Sequence, residues 1–173
     1  MERVKLAILG AVVAYTILIL LGLHLPYWDW MREDSNTARA VCGDILFTME
    51  VDKNRIYLGE SIKFNLTIRN NGDENVTIRA RAPVFDIYLY DPSGNLVAKY
   101  TDGRLFIALI VEIDLKPGDS YSRIMEWNLY RYNEESGEFD PIDPGLYRVS
   151  GVCLISSKPI IETDTITIEV LKA

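Results

Sequence analysis

From Ser61 to Arg69, apolar and polar residues alternate without interruption. Ile62, Phe64, Leu66 and Ile68 fall on one parity, and Lys63, Asn65, Thr67 and Arg69 on the other. Successive side chains of a strand point to opposite faces, so the pattern predicts a strand with one face buried and one in water. The same period of two recurs down the chain, first over residues 45–51. Phe85, Ile87 and Leu89 alternate with Asp86, Tyr88 and Tyr90, and a partner strand over 96–100 follows across Asp91-Pro92-Ser93-Gly94-Asn95 as a hairpin. Met125, Trp127 and Leu129 share a face in 121–129, as do Tyr147, Val149, Gly151 and Cys153 in 146–155, and Ile166, Ile168 and Val170 in 163–171. A short strand is expected over 76–79. Turns fall at Asn70–Glu74, Thr101–Arg104 and Lys116–Asp119. No stripe of helical period appears beyond residue 30. About eight or nine strands cut by regularly spaced turns imply an antiparallel β-sandwich.

Asp143-Pro144-Gly145-Leu146-Tyr147 narrows the fold further. It has the form of a tyrosine corner, whose hydroxyl bonds back to the main chain at the start of the penultimate strand. The expected fold class is therefore all-β, an antiparallel immunoglobulin-like β-sandwich. Residues 105–115 are apolar and β-branched, with Leu105-Phe106-Ile107-Ala108-Leu109-Ile110-Val111 apolar on both parities. The simpler expectation is a central strand covered on both sides. The alternative is an exposed apolar strip that meets a partner or a lipid surface.

Ahead of the sandwich stands an uncharged run, residues 6–25. As a helix rising 1.5 Å per residue it would reach about 30 Å, the thickness of a bilayer's hydrocarbon core. Arg3 and Lys5 precede the run, and Asp29, Glu33 and Asp34 follow it against Arg32 alone. That asymmetry predicts a single-pass N-terminal transmembrane helix in the cell membrane, with a cytoplasmic N-terminus and an extracytoplasmic domain. Tyr27, Trp28 and Trp30 suit the membrane–water boundary. The segment Leu23–Trp28 offers no small-x-small cleavage site, which favours a signal-anchor over a cleaved leader. The expected organisation is a signal-anchor over 1–30 with its core at 6–25, a tether over 31–42, and a β-sandwich domain over 43–173.

Net charge is −7, with no cluster of Lys or Arg. That argues against nucleic acid as a partner. The one histidine, His24, lies at the end of the apolar run, which removes Ser/His/Asp, Cys/His and His-zinc arrangements from the domain. No phosphate-cradling glycine loop is present. No catalytic, cofactor-binding or metal residues are assigned, no cofactor is expected, and the chain is not read as an enzyme.

Cys42 and Cys153 make an even pair that could form one disulfide in an oxidising compartment. Closing a loop of about 110 residues would contribute roughly 4–5 kcal/mol in the chain-entropy picture. Two buried thiols are the alternative. Asn65-Leu66-Thr67 and Asn75-Val76-Thr77 are glycosylation acceptor patterns, with Asn75 the better placed beside a turn. The stretch Arg131–Pro144 holds five carboxylates but lacks the order of a calcium loop. Tyr130 just before it, with Tyr132, Phe139 and Pro141 within it, forms a candidate partner-contact loop, prolines limiting the entropy lost on binding. The alternative is that these rings fold back on the sandwich edge.

Several segments, in order and spacing, resemble the BsuPI-type intracellular proteinase inhibitor family. They are Phe64–Asn71, Phe85–Asn95, Thr101–Phe106, Leu115–Asp119, Trp127 and Pro144–Tyr147, and the likeness covers roughly residues 45–170. The resemblance implies an immunoglobulin-like fold and a proteinase as protein partner. No segment matches a reactive-site motif, so no inhibitory residue is carried over. The expectation is a membrane-anchored extracytoplasmic β-sandwich that binds protein, a proteinase inhibitor in its specific form. The alternatives are an assembly module of a cell-envelope complex, or a carbohydrate-binding domain with Tyr88, Tyr90 and Tyr100 as its platform.

Overall fold

Alternating burial along several strands is what brings two sheets face to face in the computed structural model, which describes residues 35–156 and 160–172. Among the described residues there are strands and no helix. In chain order the strands are β1 (Thr37–Cys42), β2 (Ile45–Val51), β3 (Arg55–Tyr57), β4 (Ile62–Asn70), β5 (Val76–Tyr90), β6 (Leu96–Lys99) and β7 (Ile110–Leu115). β8 (Ser120–Trp127), β9 (Arg131–Asn133), β10 (Glu138–Asp140), β11 (Gly145–Ile155), β12 (Ile161–Glu162) and β13 (Ile166–Leu171) complete them. One sheet runs β1-β2-β4-β8. The second runs β3-β13-β11-β5-β6, with β7 on β5 and β12 on β11, and β9 and β10 form a separate hairpin. All pairs are antiparallel except β13 with β3, which is parallel.

The core lies between the two large sheets. Phe47, Met49, Phe64, Leu66 and Ile68 of the first sheet face Phe85, Ile87, Leu89, Val149, Ile166 and Ile168 of the second, all buried. Phe47 stacks on Phe85 with ring centroids 5.5 Å apart. Gly151, in β11, lies directly against the first sheet. A Cβ placed there would lie 2.6 Å from Leu66 Cδ2 and 3.1 Å from Met49 Cβ. The glycine is therefore required by space. Asn70 ties the sheets at one end. Its buried amide donates to the Glu74 and Leu115 carbonyls at 2.7 and 3.0 Å, and its Oδ1 accepts from Gly72 N. The tyrosine corner is formed: the Tyr147 hydroxyl donates to the Asp143 carbonyl at 2.8 Å.

The fold departs from the expected string in several places. Thr37–Cys42, placed in the tether, is β1, paired along its length with β2. Two strands expected near 76–79 and 85–90 are one, β5, with a bulge between them. Against β11 the register passes from Phe85↔Cys153 to Ala80↔Ile155, so four β5 residues lie opposite one of β11. Pro83 lies in that bulge, where a residue without an N–H interrupts no ladder. Residues 105–109 are not strand; β7 begins only at Ile110. Residues 130–144, read as loop, contain the β9–β10 hairpin. The run 6–25, expected to span a membrane, lies outside the described residues. No helix among the described residues is long and apolar enough to cross a membrane.

Replacing Gly151 with Ala should force the sheets apart at Leu66 and Met49. The expected loss is about 1–3 kcal/mol in urea unfolding, typical of an overpacked core. An unchanged midpoint would mean that the sheets do not meet closely at this point.

Candidate functional site

The second sheet leaves a gap along one edge of β5. β6 pairs with the end of β5, and β7 pairs with its first six residues. Between them the chain is held at two points: Tyr100 N donates to Ile87 O and Ala82 N donates to Leu109 O, both at 2.9 Å. Five residue steps along β5 lead from Ala82 to Ile87, about 17 Å of strand. The ten residues 100–109 that bridge the same gap have length to spare, and they bow outward.

What bows outward is apolar. Leu105 is 102% exposed, Ile107 83% and Leu109 57%, with Phe106 and Ile110 also exposed. Ile124, on edge strand β8, adds 72% exposure nearby in chain space. Phe106 and Ile124 line one groove of about 340 Å³ with Pro83, Tyr100, Val111 and Met125. The expectation of a covered central strand is therefore corrected. Both parities are apolar because the segment leaves the sheet, and the alternative reading, an exposed strip, describes it.

The base of this loop is firmly built. Asp86 is buried and outward of the core; its carboxylate accepts from Ile87 N, Thr101 N and Thr101 Oγ1 at 2.8, 3.2 and 2.7 Å. Burial is the main influence on its carboxyl and raises the pKa above the ordinary value, while the bonds from Thr101 and Ile87 oppose it. Asp102 Oδ2 accepts from Lys99 N at 2.9 Å. Arg104 Nε donates to the Tyr100 carbonyl at 2.8 Å. Its guanidinium lies 4.1 Å from the Tyr100 ring centroid and 5.9 Å from that of Phe139. Tyr100 in turn meets Trp127 edge-on at 6.0 Å.

The hairpin β9–β10 stands beside this base. Leu129 takes φ 59, unusual for a branched side chain, and turns the chain out of β8 towards β9. Tyr132 pairs with Phe139 across the hairpin, ring centroids 5.3 Å apart. Asn133 shapes the tip: Oδ1 accepts from Glu135 N and Ser136 N, and Nδ2 donates to Asp140. Of the four candidate contact residues here, Phe139 and Pro141 are exposed, while Tyr130 and Tyr132 are half-buried. Tyr132 covers Gly103, and the Tyr130 hydroxyl approaches Gly59. Two of the four side chains thus face outward and two are folded back.

The remaining candidates are dispersed. Cys42 ends β1 in the first sheet, half-buried; Cys153 is buried in β11 of the second, and both are free thiols. Burial raises the Cys153 thiol pKa to about 12, which keeps it protonated and inert. Asn65 donates to Glu50 at 3.3 Å, and Asn75 is exposed beside the turn that precedes β5. Tyr88, Tyr90 and Tyr100 form no common platform. Tyr88 and Tyr90 meet at 65°, Tyr100 is turned onto Trp127, and the Tyr90 hydroxyl donates to Glu162 at 2.7 Å. No group of three or more metal-ligating side chains occurs among the described residues.

A family described as BsuPI, intracellular proteinase inhibitor, matches residues 49–157. That description overturns the expected extracytoplasmic placement of the domain on a single-pass membrane protein, which rested on the charges flanking residues 6–25. No curated protein matches the chain. Among solved structures, it is similar to a β-glucosidase from Listeria innocua (21% identity, TM-score 0.43), covering 73% of this chain and 16% of that one. A β-glucosidase from Erythrobacter marinus (16%, TM-score 0.43) is covered to 15% by 71% of this chain. The sporulation control protein Spo0M from Bacillus subtilis (15%, TM-score 0.47) is covered to 50% by 75%. The chain thus spans under a fifth of either glucosidase and half of Spo0M.

Two measurements check the site. Asp86 holds its proton to higher pH folded than unfolded, so its contribution to stability falls as pH rises from the ordinary 3.8 through the raised value. The stability difference between the wild type and Asp86→Asn should therefore decline over that range in urea unfolding; a flat difference would place the carboxyl in water. A thiol-reactive chromophore should titrate Cys42 in the native protein and both cysteines in denaturant. Equal rapid reaction of both would contradict the burial of Cys153, and no reaction in denaturant would reveal a disulfide.

Proposed function

We infer, from the premise that the chain belongs to the BsuPI family of intracellular proteinase inhibitors, that it acts by holding a proteinase and not by chemistry of its own. The loop Leu105–Leu109 is the contact surface. The observation that carries this reading is the exposure of Leu105, Ile107 and Leu109 on a segment fixed at both ends. An exposed apolar run is costly in water and is uncommon without a partner. Full burial of each such side chain is worth about 1.5–3 kcal/mol before the costs of association. Because Thr101, Arg104 and Leu109 are already held, the loop loses little freedom when it enters a cleft. The exposed ring of Phe139 adds a rigid anchor of low entropy beside it. The only cation in the loop, Arg104, is engaged with Tyr100. The proteinase surface that fits is therefore an apolar cleft.

Titration of the full chain against a serine, a cysteine and a metalloproteinase tests the reading. Inhibition of at least one is expected near one-to-one stoichiometry. Leu105→Asp with Ile107→Asp should weaken it by at least about tenfold, with folding unaffected, since both side chains stand in water. Full activity of all three proteinases at saturating protein would overturn it.

A further inference from the structure

The hairpin β9–β10 touches the loop at its root, and the contact is unusually intimate. Gly103 takes φ 67, and a Cβ placed on it would lie 2.2 Å from Tyr132 Cδ2 and 2.6 Å from Cγ. The Tyr132 ring thus lies flat against a main chain that has no side chain to hold it off. One residue further, Arg104 is fixed three ways: by Nε on the Tyr100 carbonyl, by the Tyr100 ring beneath it, and by Phe139 of the hairpin. Tyr132 and Phe139 also contact each other. A continuous chain of side chains therefore runs from the hairpin to the loop root and on through Tyr100 to the buried Trp127. Trp127 belongs to the sandwich core and Tyr100 packs against that core, so the chain of contacts ties the loop root to the body of the domain.

We propose that Tyr132 and Arg104 are positioning residues: through Gly103 and Tyr100 they clamp the N-terminal root of Leu105–Leu109, so that the loop enters a proteinase without being cut by it. The inference rests on the loop being the contact surface. A proteinase cleaves a segment only after it adopts an extended form over several residues, which in a folded protein requires local opening. The far end of the loop is pinned by the Ala82–Leu109 bond and by β7. At the near end Asp86 holds Thr101, and the hairpin adds the restraint at the next residues, so opening beyond Thr101 needs the loss of Tyr132 from Gly103 or of Arg104 from its two rings. The clamp thereby separates an inhibitor from a substrate with the same apolar residues.

The test is native-state digestion of the full chain by chymotrypsin, which cuts after leucine and aromatic residues, with each cleaved bond followed by mass spectrometry. Bonds within 105–109 should be cut at least about tenfold faster in Tyr132→Ala and in Arg104→Ala than in the wild type, because cleavage follows the opened population. Tyr132→Phe should behave as the wild type, since the ring and not the hydroxyl covers Gly103. Gly103→Ala should match Tyr132→Ala, and the double variant should add little, because both break one contact. Bonds elsewhere in the chain should keep their wild-type rates, a result that general destabilisation would not give. Equal loop cleavage in the wild type and both alanine variants, or its rise together with cleavage everywhere, would overturn the proposal. The readout is the loop's own lifetime, so it stands or falls separately from whether any proteinase is inhibited.

Discussion

The bulge at residues 81–84 of β5 sets the geometry on which the proposed contact surface depends. Along one edge β5 meets β11 with four residues opposite one, and Pro83 sits where no ladder bond is lost. Along the other edge the ladder is broken between Ile87 and Ala82, and the chain from β6 to β7 crosses that break with residues to spare. An apolar loop is the consequence. It is displayed because the sheet has no place for it, and it is firm because its roots are bonded to the same strand.

Two kinds of group hold that root, and they differ physically. Asp86 is a buried carboxylate with three donors, so it fixes Thr101 strongly at the cost of its own desolvation. Tyr132, Phe139, Tyr100 and Arg104 act by contact between rings and a guanidinium, each modest and jointly rigid. The first belongs to the sandwich. The second depends on the β9–β10 hairpin, which stands apart from both large sheets.

Much of the fold was legible because period two is a direct image of burial. Ile62, Phe64, Leu66 and Ile68 are all fully buried, as their alternation requires, and Tyr147 makes the bond that its turn motif foretold. Strands without that signature were missed. β1 is half exposed, and β3 and β12 are too short to show a period. The loop was misassigned because a segment apolar on both parities reads alike whether both faces are covered or both are bare. Only the register of its neighbours, β6 ending on Tyr88 and β7 starting on Arg81, distinguishes the two. The aromatic character of Tyr132 is legible in the sequence, but its contact with Gly103 is not, because the two are far apart along the chain. The charges around residues 6–25 pointed to a location that the family's description contradicts.

Hydrogen exchange of the full chain, alone and with a proteinase that it inhibits, tests the central claim most directly. Amides of residues 104–110 and of 138–140 should gain protection in the complex, with the core of both sheets unchanged. Protection that falls instead on the 71–75 turn or the β1 edge, leaving Leu105–Leu109 exchanging as in the free protein, would show that a different surface meets the enzyme.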